Sequence, residues 1–173
     1  MTQQTFPAGG LRRLVLSNIE GDLKVSGWQQ AEIKLVDDAT KVQERQEGEV
    51  LMLVGCDGDL EVWLPYECAL QAHNVAGDAN VKDIQQVELS DVDGDVTIDT
   101  ISGNVTVEDV GGDATFQNIQ GEVSGRNVGG DLTANAIQST ITCEHIGGDV
   151  SIHGTGGAAN IDAVGGDVAI HGI

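Results

Sequence analysis

Six aspartates carry the most regularly spaced chemistry in the sequence: Asp78, Asp95, Asp113, Asp131, Asp149 and Asp167 each follow a glycine, at steps of 17 and then 18 residues. If the chain coils once per step, these carboxylates line up along one edge at about 4.8 Å intervals. Like charges at that spacing repel by roughly 1 kcal/mol in water and about 4 kcal/mol at an effective dielectric of 20, so something must compensate. Turn amides exposed by the glycines would do so by donating hydrogen bonds, as in Asx turns. A row of weak sites for Ca²⁺ or another cation would do so as well, because oxygen-rich turns suit hard cations. These six residues are the metal candidates; no catalytic or cofactor-binding residue stands beside them.

The other polar residues offer less. His153 and His171 stand 18 apart and could share a metal, but no third ligand falls in their column. Glu108, Arg126 and Glu144 fall in one column and form a natural surface ion triad. Thr97, Thr115, Thr133 and Ser151 make one hydroxyl column and Thr106, Ser124 and Thr142 another. An ice-binding face needs a second aligned hydroxyl column, and the neighbouring positions Asp99, Gln117, Asn135, His153 and His171 do not supply it, so β-branched residues on an exposed strand are the simpler reading. Gly-x-Ser-x-Gly, His-Glu-x-x-His and phosphate-loop motifs are absent. Polysaccharide-cleaving solenoids need an acidic cleft with a partner base or carboxylate pair. Coils of uniform length give no such cleft walls.

These columns exist only if the chain repeats. Gly94, Gly103, Gly112, Gly121, Gly130, Gly148, Gly157 and Gly166 keep a strict nine-residue step, with Ser139 at the remaining position. Two residues after each stands an aliphatic side chain: Val96, Val105, Ala114, Val123, Leu132, Ile141, Val150, Ala159 and Val168. Four after come Ile98, Val107, Phe116, Gly125, Ala134, Cys143, Ile152, Ile161 and Ile170, and seven after comes a third, mostly aliphatic, column from Ile101 to Ile173. The unit is Gly-x-Φ-x-Φ-x-x-Φ-x. Its first two apolar positions alternate as in a strand, and the third is an odd number of residues later, so the chain must turn before facing inward again. Because Gly-Asp recurs in every second unit, the coil is 18 residues made of two unlike halves. Backwards from Val92 the pattern continues to Leu70 with a one-residue slip before Gln85, so residues 67–173 hold six coils. A single coil buries too little to offset the entropy of ordering it, and stacking is required. The fold class expected is all-β: a parallel, single-stranded β-solenoid, wound right-handed as parallel crossovers are. Phe116 is expected to fill the space that Gly125 leaves.

Composition agrees. The chain has 173 residues, 24 glycines, 3% aromatics and a net charge of −20, which suits tight turns around small aliphatic interiors. Such a field repels nucleic acid and anionic membrane surfaces. No apolar run approaches a membrane span and no export signal is visible, so the sequence as written reads as cytoplasmic. Cys56, Cys68 and Cys143 show neither metal-ligand spacing nor an even count for disulfides, and Cys143 falls in a core slot as a small hydrophobe. The calcium-binding β-roll has the same period. This chain lacks its second glycine and its aspartate in that phase, which excludes the strong form of that match.

Residues 1–66 are less regular. Leu14, Leu16, Ile19 and Leu23, Val25, Trp28 keep the spacing around Gly21-Asp22, and Ile33–Leu35, Val50–Val54 and Leu60–Leu64 read as strands. They are expected to form opening and capping coils of one continuous domain, with a polar loop near 38–48. The order of motifs resembles a bacterial family of β-strand-repeat proteins of unknown function known as putative adhesins. The residues that carry the resemblance are Ile19-Glu20-Gly21-Asp22-Leu23-Lys24-Val25-Ser26-Gly27-Trp28, Glu61-Val62-Trp63-Leu64-Pro65 and serial units such as Val75-Ala76-Gly77-Asp78. The resemblance implies a solenoid at or near a cell envelope, with no catalytic residues to carry over.

The function expected is a non-enzymatic structural or adhesion-like module presenting acidic faces to a protein or glycan surface. Val168, Ile170 and Ile173 keep the core pattern to the last residues, so end-to-end stacking into a homo-oligomer is the alternative. A weak Ca²⁺-binding solenoid is the third reading, and an enzyme the least supported.

Overall fold

The computed structural model describes residues 2–37 and 43–172. In chain order the strands are β1 (Thr2–Pro7), β2 (Arg13–Ile19), β3 (Leu23–Trp28), β4 (Glu32–Asp37), β5 (Gln43–Glu47), β6 (Val50–Cys56), β7 (Leu60–Pro65), β8 (Ala69–Val75), β9 (Ala79–Ile84) and β10 (Gln86–Val92). They continue as β11 (Val96–Ile101), β12 (Val105–Val110), β13 (Ala114–Ile119), β14 (Val123–Val128), β15 (Leu132–Ile137), β16 (Ile141–Ile146), β17 (Val150–Thr155), β18 (Ala159–Val164) and β19 (Val168–His171). No helix occurs among the described residues. One sheet runs β1-β4-β7-β3-β9-β11-β13-β15-β17-β19 and the other β18-β16-β14-β12-β10-β8-β2-β6-β5; neither closes into a barrel.

From β8 onward every strand pairs in parallel with the second strand after it. Val96 lies beside Ala114, Ala114 beside Leu132, Leu132 beside Val150 and Val150 beside Val168. In the facing sheet Val105, Val123, Ile141 and Ala159 form the equivalent row. Residues 18 apart therefore stack directly, as the repeat requires. The slip is also present: Val96 pairs with Ala79 and Gln86 with Ala69, each 17 apart, because the corner through Gln85 is one residue short.

The third inward column is reached by a backbone device that periodicity does not reveal. The residue six after the repeat glycine is left-handed: Thr100, Asp109, Asn118, Asn127, Ala136, His145 and Ala163 all have φ between 53° and 56°. This breaks the two-residue alternation by one position, so Ile98 and Ile101 both point inward and both are buried. Asn and Asp tolerate that conformation far better than alanine or a β-branched residue.

The core is one continuous aliphatic column between the sheets, from Ala8 to Ile152. Cys143 occupies its expected slot, fully buried between Gly125 and Ile161, and burial pushes its thiol pKa up to about 12. Phe116 shares the filling of Gly125 rather than doing it alone: a Cβ there would meet Leu132 Cδ1 at 3.1 Å and Phe116 Cε2 at 4.0 Å. Both partners come from the facing sheet, where Leu132 stands between Ala114 and Val150 in its column.

At the N-terminal end, order in sequence and order in space part company. The coil of β2 and β3 lies between that of β6 and β7 on one side and that of β8 and β9 on the other. Antiparallel strands then close the stack: β4 on β7, β1 on β4, and β5 on β6. The polar loop expected near 38–48 is in part a strand. Residues 38–42 lie outside the described residues, while Gln43–Glu47 pairs with Val50–Val54. Its side chains are all exposed, as suits an edge strand kept from further pairing by charge.

Candidate functional site

The six aspartates do form a ladder, and it is longer than the sequence pattern indicated. The backbone N–H of Asp95 donates to Oδ1 of Asp78 at 2.8 Å, that of Asp113 to Asp95, Asp131 to Asp113, Asp149 to Asp131 and Asp167 to Asp149, all at 2.8 Å. At the other end Asp78 N–H donates to Asp22 Oδ1 and Asp22 N–H to Asp59 Oδ1, both at 2.9 Å. The glycine before each aspartate makes this possible: a Cβ on Gly94, Gly112, Gly130, Gly148 or Gly166 would lie 2.0 to 2.2 Å from the carboxylate oxygen of the rung below. Gly-Asp is thus one device in which the aspartate supplies the acceptor for the next rung and the glycine makes room for the previous one. The sequence signal for Asp22 and Asp59 was present in Gly21-Asp22 and Gly58-Asp59, but their irregular spacing hid them.

Charge-assisted hydrogen bonds of this kind supply the compensation that a row of carboxylates needs. The opposite corner uses a neutral version once: Asn104 Oδ1 accepts from Glu122 N–H at 2.9 Å, and a Cβ on Gly121 would crowd it at 2.4 Å. Among the described residues no group of three or more His, Cys, Asp or Glu side chains is placed to hold a metal ion.

The flat faces carry the remaining columns. Thr97, Thr115, Thr133 and Ser151 are side by side on one sheet, and Thr106, Ser124 and Thr142 on the other. Arg126 lies between Glu108 at 3.6 Å and Glu144 at 3.2 Å, the triad read from the sequence. His153 and His171 stack at 5.1 Å between ring centroids, with His153 Nε2 held 3.0 Å from Ser151 Oγ. Cys56 and Cys68 are buried free thiols whose pKa burial raises.

Regularity fails beside β3 and β7, and the surface there is concave. Strands β3 and β7 contain no left-handed residue, so their ends run straight where other strands bend. Pairing of β3 with β9 stops at Ser26 and Lys82. Beyond it the kink at Asp83 presses on Gly27, where a Cβ would lie only 1.6 Å from the Asp83 carbonyl oxygen. Trp28, placed in the inward pattern by spacing, is therefore only partly buried. Its Nε1–H donates to the Glu32 carbonyl at 2.7 Å, and its ring lies tilted 6.5 Å from that of Trp63, over which Lys34 Nζ sits at 4.8 Å. Trp28, Pro65 and Tyr66, with the connections 8–12, 29–31 and 66–68, line a cleft of about 570 Å³. Sequence reading missed this cleft because it follows from a missing bend.

Fold and surface together define an all-β stack of mostly parallel strands in two sheets, with continuous polar columns on its flat faces. Among solved structures, a putative adhesin from Bacteroides fragilis NCTC 9343 is similar in fold, with a TM-score of 0.57 and 13% sequence identity over 98% of this chain and 96% of that one. A putative cell adhesion protein from Clostridium sporogenes ATCC 15579 aligns over 99% of both chains at 13% identity, with a TM-score of 0.48. No protein-family profile and no curated protein matches the sequence.

Proposed function

We propose that this chain is a non-enzymatic, adhesion-like module: one continuous right-handed β-solenoid of 18-residue coils, each made of two nine-residue halves, that displays acidic edges and flat polar faces to a partner at a cell envelope. Residues 1–66 serve as its opening and capping coils. The observation that carries the reading is the unbroken register of outward columns over five strands, such as Thr97, Thr115, Thr133, Ser151 and Ala169. A rigid array of this kind suits repeated weak contacts, whose summed avidity exceeds any single one. The fold shared with a putative adhesin supports the same direction. Beads coated with the protein, presented to bacterial and host cell surfaces, should be retained against a shear that removes beads coated with an unrelated acidic protein. Equal release of both kinds of bead contradicts the proposal.

One observation favours a second reading, end-to-end association. In the last coil Val168 is 48% exposed and Ile161, Val164 and Ile170 are only partly buried, whereas Val150, Cys143, Ile146 and Ile152 one layer above are buried. Ile173 lies outside the described residues. Light scattering across a hundredfold concentration range should then show mass rising with concentration, and Val168→Lys should abolish the rise; a constant monomer mass removes this reading.

A further inference from the structure

The cleft beside Trp28 and Tyr66 differs chemically from the rest of the surface. Four of the five aromatic residues, Phe6, Trp28, Trp63 and Tyr66, belong to the first 66 residues, and the fifth, Phe116, is fully buried. The flat faces of the repeat therefore offer a ligand no phenyl, phenol or indole ring, only the stacked imidazoles of His153 and His171. The cleft offers two, Trp28 partly buried and Tyr66 51% exposed.

Its other polar groups are mainly primary amides. Gln29, Gln30 and Gln85 line the cleft and are exposed. Each amide presents two donors and an acceptor in one plane, a set that matches neighbouring hydroxyls. Arg12 at the rim pairs with Glu49 at 3.6 Å, and the Glu67 carboxylate that follows Tyr66 leaves the lining slightly acidic. The wider field is that of a molecule with net charge −20, which disfavours anionic ligands at a distance. Planar apolar faces, neutral amides and a volume within the usual range for small-ligand sites converge here on irregular segments held by a rigid scaffold.

We propose that this cleft binds a neutral oligosaccharide, with C–H faces of a sugar ring against Trp28 or Tyr66 and its hydroxyls bonded to Gln29, Gln30 and Gln85. The proposal rests on the adhesion-like reading and gives it a ligand class and an address.

The test is a titration of the whole chain with maltotriose, mannotriose, chitotriose and lactose, followed by tryptophan fluorescence and saturation-transfer NMR. A sialylated trisaccharide and choline are run alongside. At least one neutral sugar should bind with an affinity insensitive to salt between 50 and 500 mM. Tyr66→Ala should weaken it about tenfold, as expected when a stacking face is lost. Gln30→Ala, in an exposed connection where the fold is not at risk, should weaken it severalfold, and Gln120→Ala, which removes an exposed amide from a connection outside the cleft, should leave it unchanged. Binding by none of the four sugars at about 10 mM overturns the proposal, as does a salt-sensitive preference for choline, which marks a cation-binding aromatic cage instead. Sugar binding that Tyr66→Ala and Gln30→Ala both leave intact overturns the site alone, whereas the bead-retention assay reports on adhesion independently of either.

Discussion

At the scale of the residue, the aspartate ladder is a hydrogen-bond device first. Each Oδ1 accepts the amide of the next rung, and Asn104 does the same work without charge. Asp113→Asn should therefore keep the melting temperature or raise it slightly, since it preserves the acceptor and relieves repulsion along the column. Asp113→Ala strands the Asp131 N–H and should cost about 1 to 2 kcal/mol, measured by urea unfolding. A ladder that acts chiefly by binding cations would show the asparagine variant as damaging as the alanine one. A second residue-scale outcome concerns pH. The Cys143 thiol is held neutral by burial, with its pKa raised from the 9.0 of a free thiol to about 12. A raised pKa means that this contribution to stability is complete below about pH 9 and is lost as pH climbs towards 12. Stability should fall over that window, and Cys143→Ala should flatten the fall; an unchanged alkaline profile in that variant would assign the effect elsewhere.

At the scale of the element, the bend six residues after each repeat glycine decides what the strands can do. The sequence showed that a turn must separate the second and third inward positions, because the count between them is odd. It did not show that a single left-handed residue makes the turn inside the strand, since Thr100, Ala136, His145 and Ala163 hide a position that Asn and Asp mark elsewhere. Thr100 is the most strained of these, being β-branched at φ 56°. Thr100→Asn should stabilise the protein by about 1 kcal/mol in thermal or urea unfolding; a loss of stability would mean that the Thr100 hydroxyl bond to Asp99, at 3.0 Å, outweighs the backbone strain. The same device explains why the cleft was not legible. Periodicity placed Trp28 inward with Leu23 and Val25, but β3 lacks the bend and meets Asp83 at Gly27, so Trp28 is carried outward with the straight strand.

At the scale of the whole molecule, the sequence made the regular part legible because register is encoded three times over, in glycine, aspartate and aliphatic columns. Where those markers become irregular, before Ala69, strand order could not be read: the coil of β6 and β7 lies outside that of β2 and β3, and three antiparallel strands close the end. Ladder and polar faces both depend on residues 18 apart standing over one another along a single axis. Spin labels attached through cysteines at Asn80 and, in turn, Thr133, Ser151 and Ala169 measure this by double electron–electron resonance, with the buried native thiols left unlabelled. The account predicts backbone separations of about 14, 19 and 24 Å, a constant increment per rung. Distances that fail to increase with rung number, as antiparallel hairpins would give, would contradict it.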